Sequence, residues 1–184
     1  LEGDGGIETA GEIRSVYQFD VVHGGQKVFR ELLSAMAKPG QIRRIGVQTE
    51  KFQGDYAPLL ALGCTLLDNE EKMYVEKNPR LSSELHNLTL CRESDLDRAD
   101  YVFLSSEMNY GSMEQILKNV KHGTYADPQE SATIFLLCSA VEGEEEMTLR
   151  GPGVDGELKV KVNPYINKGI RRPSDLETEH PRGV

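Results

Sequence analysis

The sequence predicts an α/β layer fold with a mixed central sheet, and three observations carry that expectation. Helical segments alternate with short β-type runs along the chain, the order that stacks helices on a sheet. One run, Thr133 to Val141, is continuously apolar, as expected of a strand covered on both faces. Two later runs, Met147 to Arg150 and Glu157 to Val162, are joined by a glycine-rich turn. A chain of 184 residues is expected to form one domain. Residues 1–20, acidic and glycine-rich without periodicity, read as a mobile tail, and 21–184 as the domain.

The first helix is expected over Gly24 to Ala37. Val28, Phe29, Leu32, Leu33 and Met36 fall on one face of a 3.6-residue period. Lys38 suits the helix end, and Pro39-Gly40 cannot continue it. Gln41 to Gln48 then reads as a strand. Pro58 to Leu67 is a helix with almost no polar face, the mark of a buried one. Pro58 suits its first position. Gly63 in its middle costs ~1 kcal/mol against Ala unless something packs closely on it. Lys72 to Glu76 is a short strand, Ser82 to Asn87 a helical turn, and Leu88 to Cys91 extended. Tyr101 to Ser105 is a strand. Ser112-Met113-Glu114-Gln115 reads as a capping box opening a helix that Gly123 ends. The loop Thr124 to Glu130 leads into the apolar run. In the last strand Leu158, Val160 and Val162 alternate inward against Glu157, Lys159 and Lys161. A tail rich in Pro, Gly and charge begins at Asn163.

Charge excludes whole classes of function. Lys plus Arg number 21 against 30 Asp plus Glu, a net charge of −9. The sequence pI is about 5.0, and Arg43-Arg44 and Arg171-Arg172 are the only adjacent basic pairs. A nucleic-acid partner is therefore not expected. A phosphate-rich ligand would need a local basic pocket, because the global field opposes it. No apolar run approaches a membrane span, so no membrane association is expected. Cys64, Cys91 and Cys138 are far apart, with no CxxC and no secretory signal. A reducing cytoplasm is the expected compartment. The first residue is Leu1, so a natural start upstream of it is expected.

Chemical motifs are weak. Gly151-Pro152-Gly153-Val154-Asp155-Gly156 matches GxGxxG, but a dinucleotide site needs a helix opening at the glycines. Here a two-residue period follows, and Pro152 removes a donor. A turn between strands is the better reading. His23, His86, His122 and His180 stand far apart without zinc-motif spacing, so no metal site is expected. The acidic run Glu142, Glu144, Glu145 and Glu146 reads as a solvated hairpin tip. Neither GxSxG nor HExxH occurs. No lysine interrupts an apolar run, so no Schiff-base lysine stands out. The residues by themselves mark no catalytic, cofactor-binding or metal-binding group.

Four segments resemble one known family. Phe29-Arg30-Glu31-Leu32-Leu33-Ser34-Ala35-Met36-Ala37-Lys38-Pro39-Gly40 is similar to the FRxLLxAMxxPG signature of the PhnH family, a subunit of the bacterial carbon–phosphorus lyase system. In the same order follow Leu62 to Asn69 (LGCTLLDN), Gly123-Thr124 with Pro128 and Ala132-Thr133, and Leu149-Arg150-Gly151-Pro152-Gly153-Val154. The pieces span residues 28 to 154. The resemblance implies a three-layer α/β/α fold similar to the large domain of pyridoxal-phosphate-dependent transferases, without the cofactor lysine and pocket. It implies a homodimer when alone. It also implies assembly with PhnG, PhnI and PhnJ subunits into a transferase complex of the ribose methylphosphonate triphosphate synthase type. That system attaches a phosphonate to the ribose of a nucleoside triphosphate with loss of adenine, and a radical iron–sulfur subunit later cleaves the carbon–phosphorus bond. No catalytic residue is assigned to the PhnH-type subunit, so no activity of its own and no cofactor are expected. The family's pattern also has an apolar strand after the position of Val184.

Two readings follow. In the first, the chain is a non-catalytic assembly subunit; the candidate interface or ligand residues are Arg30, Asp68, Asn69, Arg150, Gly151 and Gly153. In the second, it is a stand-alone small-molecule enzyme whose site is assembled from distant residues such as Arg30, His122 and Asp68. Each position has a plainer reading beside these: a solvated helix charge for Arg30, and turn geometry for the loop residues.

Overall fold

The computed structural model describes residues 18–167, apart from 53, 106–109, 125, 152 and 165. The expected tail over 1–20 falls largely outside the described residues, as do 168–184 with Arg171-Arg172 and His180. Four strands, β1 (Lys72–Val75), β2 (Arg92–Glu93), β3 (Tyr101–Leu104) and β4 (Thr133–Leu136), form one sheet in the order β2-β1-β3-β4. Every pairing in it is parallel, with Met73 opposite Tyr101 and Phe103 opposite Phe135. The expected mixed sheet is thus corrected. The antiparallel pairing is confined to a separate hairpin, β5 (Glu145–Leu149) with β6 (Leu158–Val162).

Strand alternation divides the interior into two cores. Met73, Val75, Phe103 and Phe135 face one, which holds α1 (His23–Ala37), α3 (Ala57–Leu66) and α4 (Pro79–Thr89). Val102 and Leu104 face the other, filled by Met113, Ile116 and Val120 at α5 (Tyr110–Asn119). Helices therefore flank both faces of the sheet, the requirement for burying a parallel sheet.

Helix α1 starts where Asp20 Oδ1 accepts the N–H groups of Val22 and His23, each at 2.9 Å. Those bonds and the His23 ring hold the Asp20 carboxyl below its usual range. The apolar stripe of α1 divides. Val28 is buried and Leu32 half-buried against α3, while Phe29, Leu33 and Met36 are 47%, 56% and 60% exposed. Periodicity marks an apolar face correctly, but the neighbouring helix covers only one flank of it.

The strand expected over 41–48 is absent. Residues 41–45 have no regular structure, and α2 (Gly46–Thr49) is a single helical turn. Among the described side chains of the segment Ile45 reaches the core, and no described strand lies alongside to pair with it. β-propensity has effect only on a pleated, half-buried surface.

Helix α3 is buried nearly all round, as its composition requires, with Leu60 and Ala61 fully enclosed. A Cβ on Gly63 would collide with the Leu85 side chain of α4. The glycine is where two helices meet too closely for any side chain.

Helix α4 is longer than the expected turn. Asn78 Oδ1 accepts the Leu81 N–H at 3.1 Å, Pro79 occupies the first turn, and Leu81, Leu85 and Leu88 share the buried face. Leu88 and Thr89 are helical rather than extended, and Leu90 ends the helix in the left-handed region at φ 62. Helix α5 begins at Tyr110, so Ser112 lies inside its first turn and not at a capping box. Strand β4 stops at Leu136 and is an edge of the described sheet, which leaves Ile134 and Leu136 only half-buried.

The GxGxxG-like segment is the turn of the β5–β6 hairpin, which settles it against a dinucleotide loop. Gly40 (φ +82) sits under Leu149, Leu158 and Val160 of the hairpin. A Cβ on Gly153 (φ +83) would lie 2.9 Å from the Ala37 carbonyl oxygen. The first and last resembling segments thus meet in space, the end of α1 under the hairpin turn. The acidic run expected at a hairpin tip instead enters β5 at the open end of the hairpin, where Glu145 stands opposite Val162; Glu146 pairs with Lys159 at 2.8 Å, and Glu145 accepts from Asn167.

The Gly63 contact gives a signed expectation. In an ordinary helix Gly→Ala stabilises by about 1 kcal/mol, whereas overpacking a tight core costs about 1–3 kcal/mol. Gly63→Ala should therefore lower the urea midpoint, and a raised midpoint would show that Leu85 moves aside freely.

Candidate functional site

Strand order reverses between β1 and β3: the chain leaves β1 for β2 on one side and returns to β3 on the other. In parallel α/β sheets the crevice beyond the carboxyl ends of such strands is the usual ligand position. Here β1 ends at Val75, and Glu76, Lys77 and Asn78 follow. Lys77 adopts the left-handed conformation (φ 48), uncommon outside glycine. Asn78 does two things at once. Its Oδ1 caps α4, and its Nδ2 donates to Ser105 Oγ at 2.8 Å, tying the loops after β1 and β3 together.

A cavity of about 680 Å³ opens beside this turn, between the first two turns of α4 and the short edge strand β2. Strand β2 pairs only with Lys72 and Met73, so no described strand covers the outer side of Val75. Ser82 and His86 of α4 line the cavity from one wall and Arg92 and Glu93 from the other, with Lys77 at the mouth. Ser82 is 6% exposed on the cavity wall. The Arg92 guanidinium is exposed and forms no ion pair among the described residues. Lys77 Nζ reaches Glu76 at 3.1 Å but keeps 82% of its side chain in solvent.

His86 is held in a defined orientation. Its Nδ1 lies 2.8 Å from the Cys91 carbonyl oxygen. A carbonyl only accepts, so Nδ1 carries the proton and a neutral ring keeps Nε2 as an acceptor. Cys91 is itself fixed, its Sγ donating to the Glu71 carbonyl at 3.1 Å. Desolvation, reinforced by Glu71, pushes its thiol from 9.0 up to about 11. Among the described residues no serine or cysteine side chain bonds to His86. The site can therefore donate hydrogen bonds and positive charge, but it lacks a nucleophile–base pair.

A second hollow, of about 440 Å³, lies across Lys77 toward α5. Tyr74 donates to Glu76 at 2.5 Å there. That bond first, then burial, pushes the Tyr74 hydroxyl up to about 12.

The residues singled out in the sequence lie elsewhere. Asp68 Oδ1 accepts the Glu70 and Glu71 N–H groups at 2.8 and 3.4 Å, an Asx-type turn before β1. Asn69 is exposed in that turn, ahead of the amino end of β1. Arg150 is ion-paired with Glu157 across the hairpin, and Gly151 (φ +126) and Gly153 serve its turn. Arg30 is exposed on α1. Neither hollow is lined by Arg30, Asp68 or His122. What sequence reading missed is the set Lys77, Asn78, Ser82, His86 and Arg92. The usable signal was Asn78-Pro79, a cap followed by proline at the first helical position.

A family model described as bacterial phosphonate metabolism protein (PhnH) matches residues 18–184, nearly the whole chain. The chain belongs to the PhnH family. No curated protein matches it closely enough to add to that assignment. In this PhnH-family chain, Phe29–Gly40 forms the exposed flank and end of α1. The Leu149–Val154 segment forms the turn seated on it. No helix among the described residues is long and apolar enough to cross a membrane.

The Cys91 environment predicts chemistry as well as position. Native protein at pH 8 should leave Cys91 unmodified by iodoacetamide, with labelling appearing only after unfolding in urea, as read by peptide mass spectrometry. Because the folded pKa lies above the unfolded one, this thiol's contribution to stability is present below about pH 9. It is lost as pH rises toward 11. Rapid native labelling would show that the β1–β2 edge opens readily.

Proposed function

We propose that the chain is a non-catalytic assembly subunit of the carbon–phosphorus lyase core complex in organic phosphonate catabolism. In this reading it supports transfer of phosphonate to the ribose of a nucleoside triphosphate with loss of adenine. It works in the cytoplasm with PhnG, PhnI and PhnJ subunits, and pairs with itself when they are absent. The fold kinship to the large domain of pyridoxal-phosphate transferases belongs to the same proposal. Every described lysine keeps contact with solvent, which suits a fold without a Schiff-base lysine.

One observation carries the subunit reading. Phe29, Leu33 and Met36 line up along α1 at helical spacing, with Val22 just before the helix on the same side, and all four are exposed. Ile42 and Leu158, also exposed, follow near the helix end and on the hairpin. Large apolar side chains on one stripe favour a protein partner over water. The stripe lies on the segment that most resembles the family signature. A stand-alone enzyme is disfavoured by the separate positions of Arg30 and Asp68, and by a His86 ring to which no described serine or cysteine side chain bonds.

The test is co-expression with the other core subunits, followed by size-exclusion chromatography with light scattering. The unaltered chain should co-elute in a stoichiometric complex. Leu33→Glu with Met36→Glu should abolish co-elution or self-association while leaving the circular dichroism spectrum and urea midpoint nearly unchanged, because both positions are exposed. An assembly indifferent to the double substitution would remove α1 as the interface. Failure of the unaltered chain to co-elute would overturn the subunit reading.

A further inference from the structure

We infer that the exposed flank of α1 docks an acidic amphipathic helix of another polypeptide, one whose apolar face is bordered by carboxylates. The inference rests on the subunit reading and adds to it the chemistry of the partner's surface.

The charge around the apolar stripe is the ground for it. Between Val21 and Ile45 stand five cations, Lys27, Arg30, Lys38, Arg43 and Arg44, against the single carboxylate of Glu31. The whole chain carries −9, so this basic segment opposes the charge of all the rest. All five cations are exposed. Lys27, Arg30, Lys38 and Arg44 form no ion pair among the described residues, and Arg43 donates to the neutral Gln41 side chain at 2.9 Å. On the hairpin seated over the end of α1, by contrast, Arg150 and Lys159 are taken by Glu157 and Glu146. The unneutralised positive charge beside the stripe therefore belongs to α1 and the segment after it. At 3.6 residues per turn, Arg30 borders Phe29 and Leu33 on the side away from α3, with Lys27 a turn before it. Arg43 and Arg44 directly follow Ile42, itself exposed, and extend the basic border past the helix end.

Geometry selects a helix as the occupant. Val22, Phe29, Leu33 and Met36 form a ridge about 20 Å long, which the groove of a second helix can receive. A helix flank has no free backbone groups to pair with a strand, whereas a docking helix satisfies its own. Carboxylates bordering its apolar face would meet Arg30 and Lys27 in charge-assisted bonds. A second copy of this chain fits less well, because two-fold pairing sets these cations against the same cations. An anionic bilayer would meet the acidic remainder of the chain as well as the stripe, whereas a helix meets the stripe alone.

Carbodiimide cross-linking of the full chain in its co-eluting complex with the other core subunits, read by peptide mass spectrometry, tests the proposal. Lys27 or Lys38 should be joined to Asp or Glu of another subunit. Lys27→Glu with Arg30→Glu should weaken assembly at least about tenfold. Its circular dichroism and urea midpoint should stay near those of the unaltered chain, because both positions are exposed. Raising NaCl from about 0.1 to 0.5 M should weaken the unaltered complex and affect the variant much less. Assembly indifferent to the charge reversal overturns the proposal, as does a complex in which neither lysine cross-links. Cross-links confined to a second copy would assign the stripe to self-association and overturn it too. If the unaltered chain does not co-elute, the subunit reading falls and a designed peptide decides the surface separately. That peptide is a helix with one leucine face bordered by Glu, titrated against the chain by fluorescence anisotropy beside a Lys-bordered counterpart. Binding at least about tenfold tighter than the counterpart, and lost in Leu33→Glu with Met36→Glu, supports the proposal. No preference between the two, or no binding below about 1 mM, overturns it. Phosphatidylserine vesicles bound in preference to the peptide would assign the surface to a membrane and overturn it as well.

Discussion

The close approach of α3 and α4 at Gly63 and Leu85 governs much of the architecture. Helix α3 is apolar on nearly every side and has no face to offer water. It must be enclosed by α1 on one side and α4 on the other. Leu85 occupies the space a side chain at 63 would take. That contact sets how closely α4 lies against the core, and so where its first turns stand relative to β1 and β2. The cavity lined by Ser82 and His86 exists because α4 is held there while β2 stops after two residues.

The two ends of the sheet are chemically unlike. Before the strands begin, Asp100 accepts from the Lys72 N–H and from Lys121 Nζ at 2.7 Å, while Asp68 closes a turn. Desolvation first, then Asp100 and Asp68, raises the Glu71 carboxyl above its usual range. This end is acidic and internally bonded. Beyond the carboxyl end of β1, Asn78 caps α4 and donates to Ser105, while Arg92 stands at the other end, level with Lys72. A parallel sheet with helices on both faces imposes this polarity, because each following helix turns its amino end toward the strand ends. The exposed apolar stripe on α1 and the cavity at α4 lie on different helices.

Helix α1, the buried helix with Gly63, the β-runs at β1 and β3, and the turn reading of Gly151–Gly156 were legible because each rests on local pattern: a period, a proline stop or a positive φ. The shortfalls have physical causes too. Gln41–Gln48 has strand-like residues but no described strand beside it. Sequence could not show that β4 lies at an edge of the described sheet, since an apolar run reads the same whether one neighbour covers it or two. Asp68 and Asn69 looked functional because turn residues and binding residues are drawn from the same amino acids.

The amino-acid sequence by itself determined the family, the alternation of helix and strand, the end of α1 at Pro39-Gly40 and the acidic charge balance of the chain. Those properties reside in neighbouring residues or in composition. Only the tertiary structure decided that the central sheet is parallel and that half of the α1 stripe stays in solvent. It alone brought Ser82, His86 and Arg92 around one cavity. These depend on which elements lie side by side. Side-by-side placement is fixed by packing between residues distant in the chain, such as Gly63 against Leu85, which no local pattern encodes.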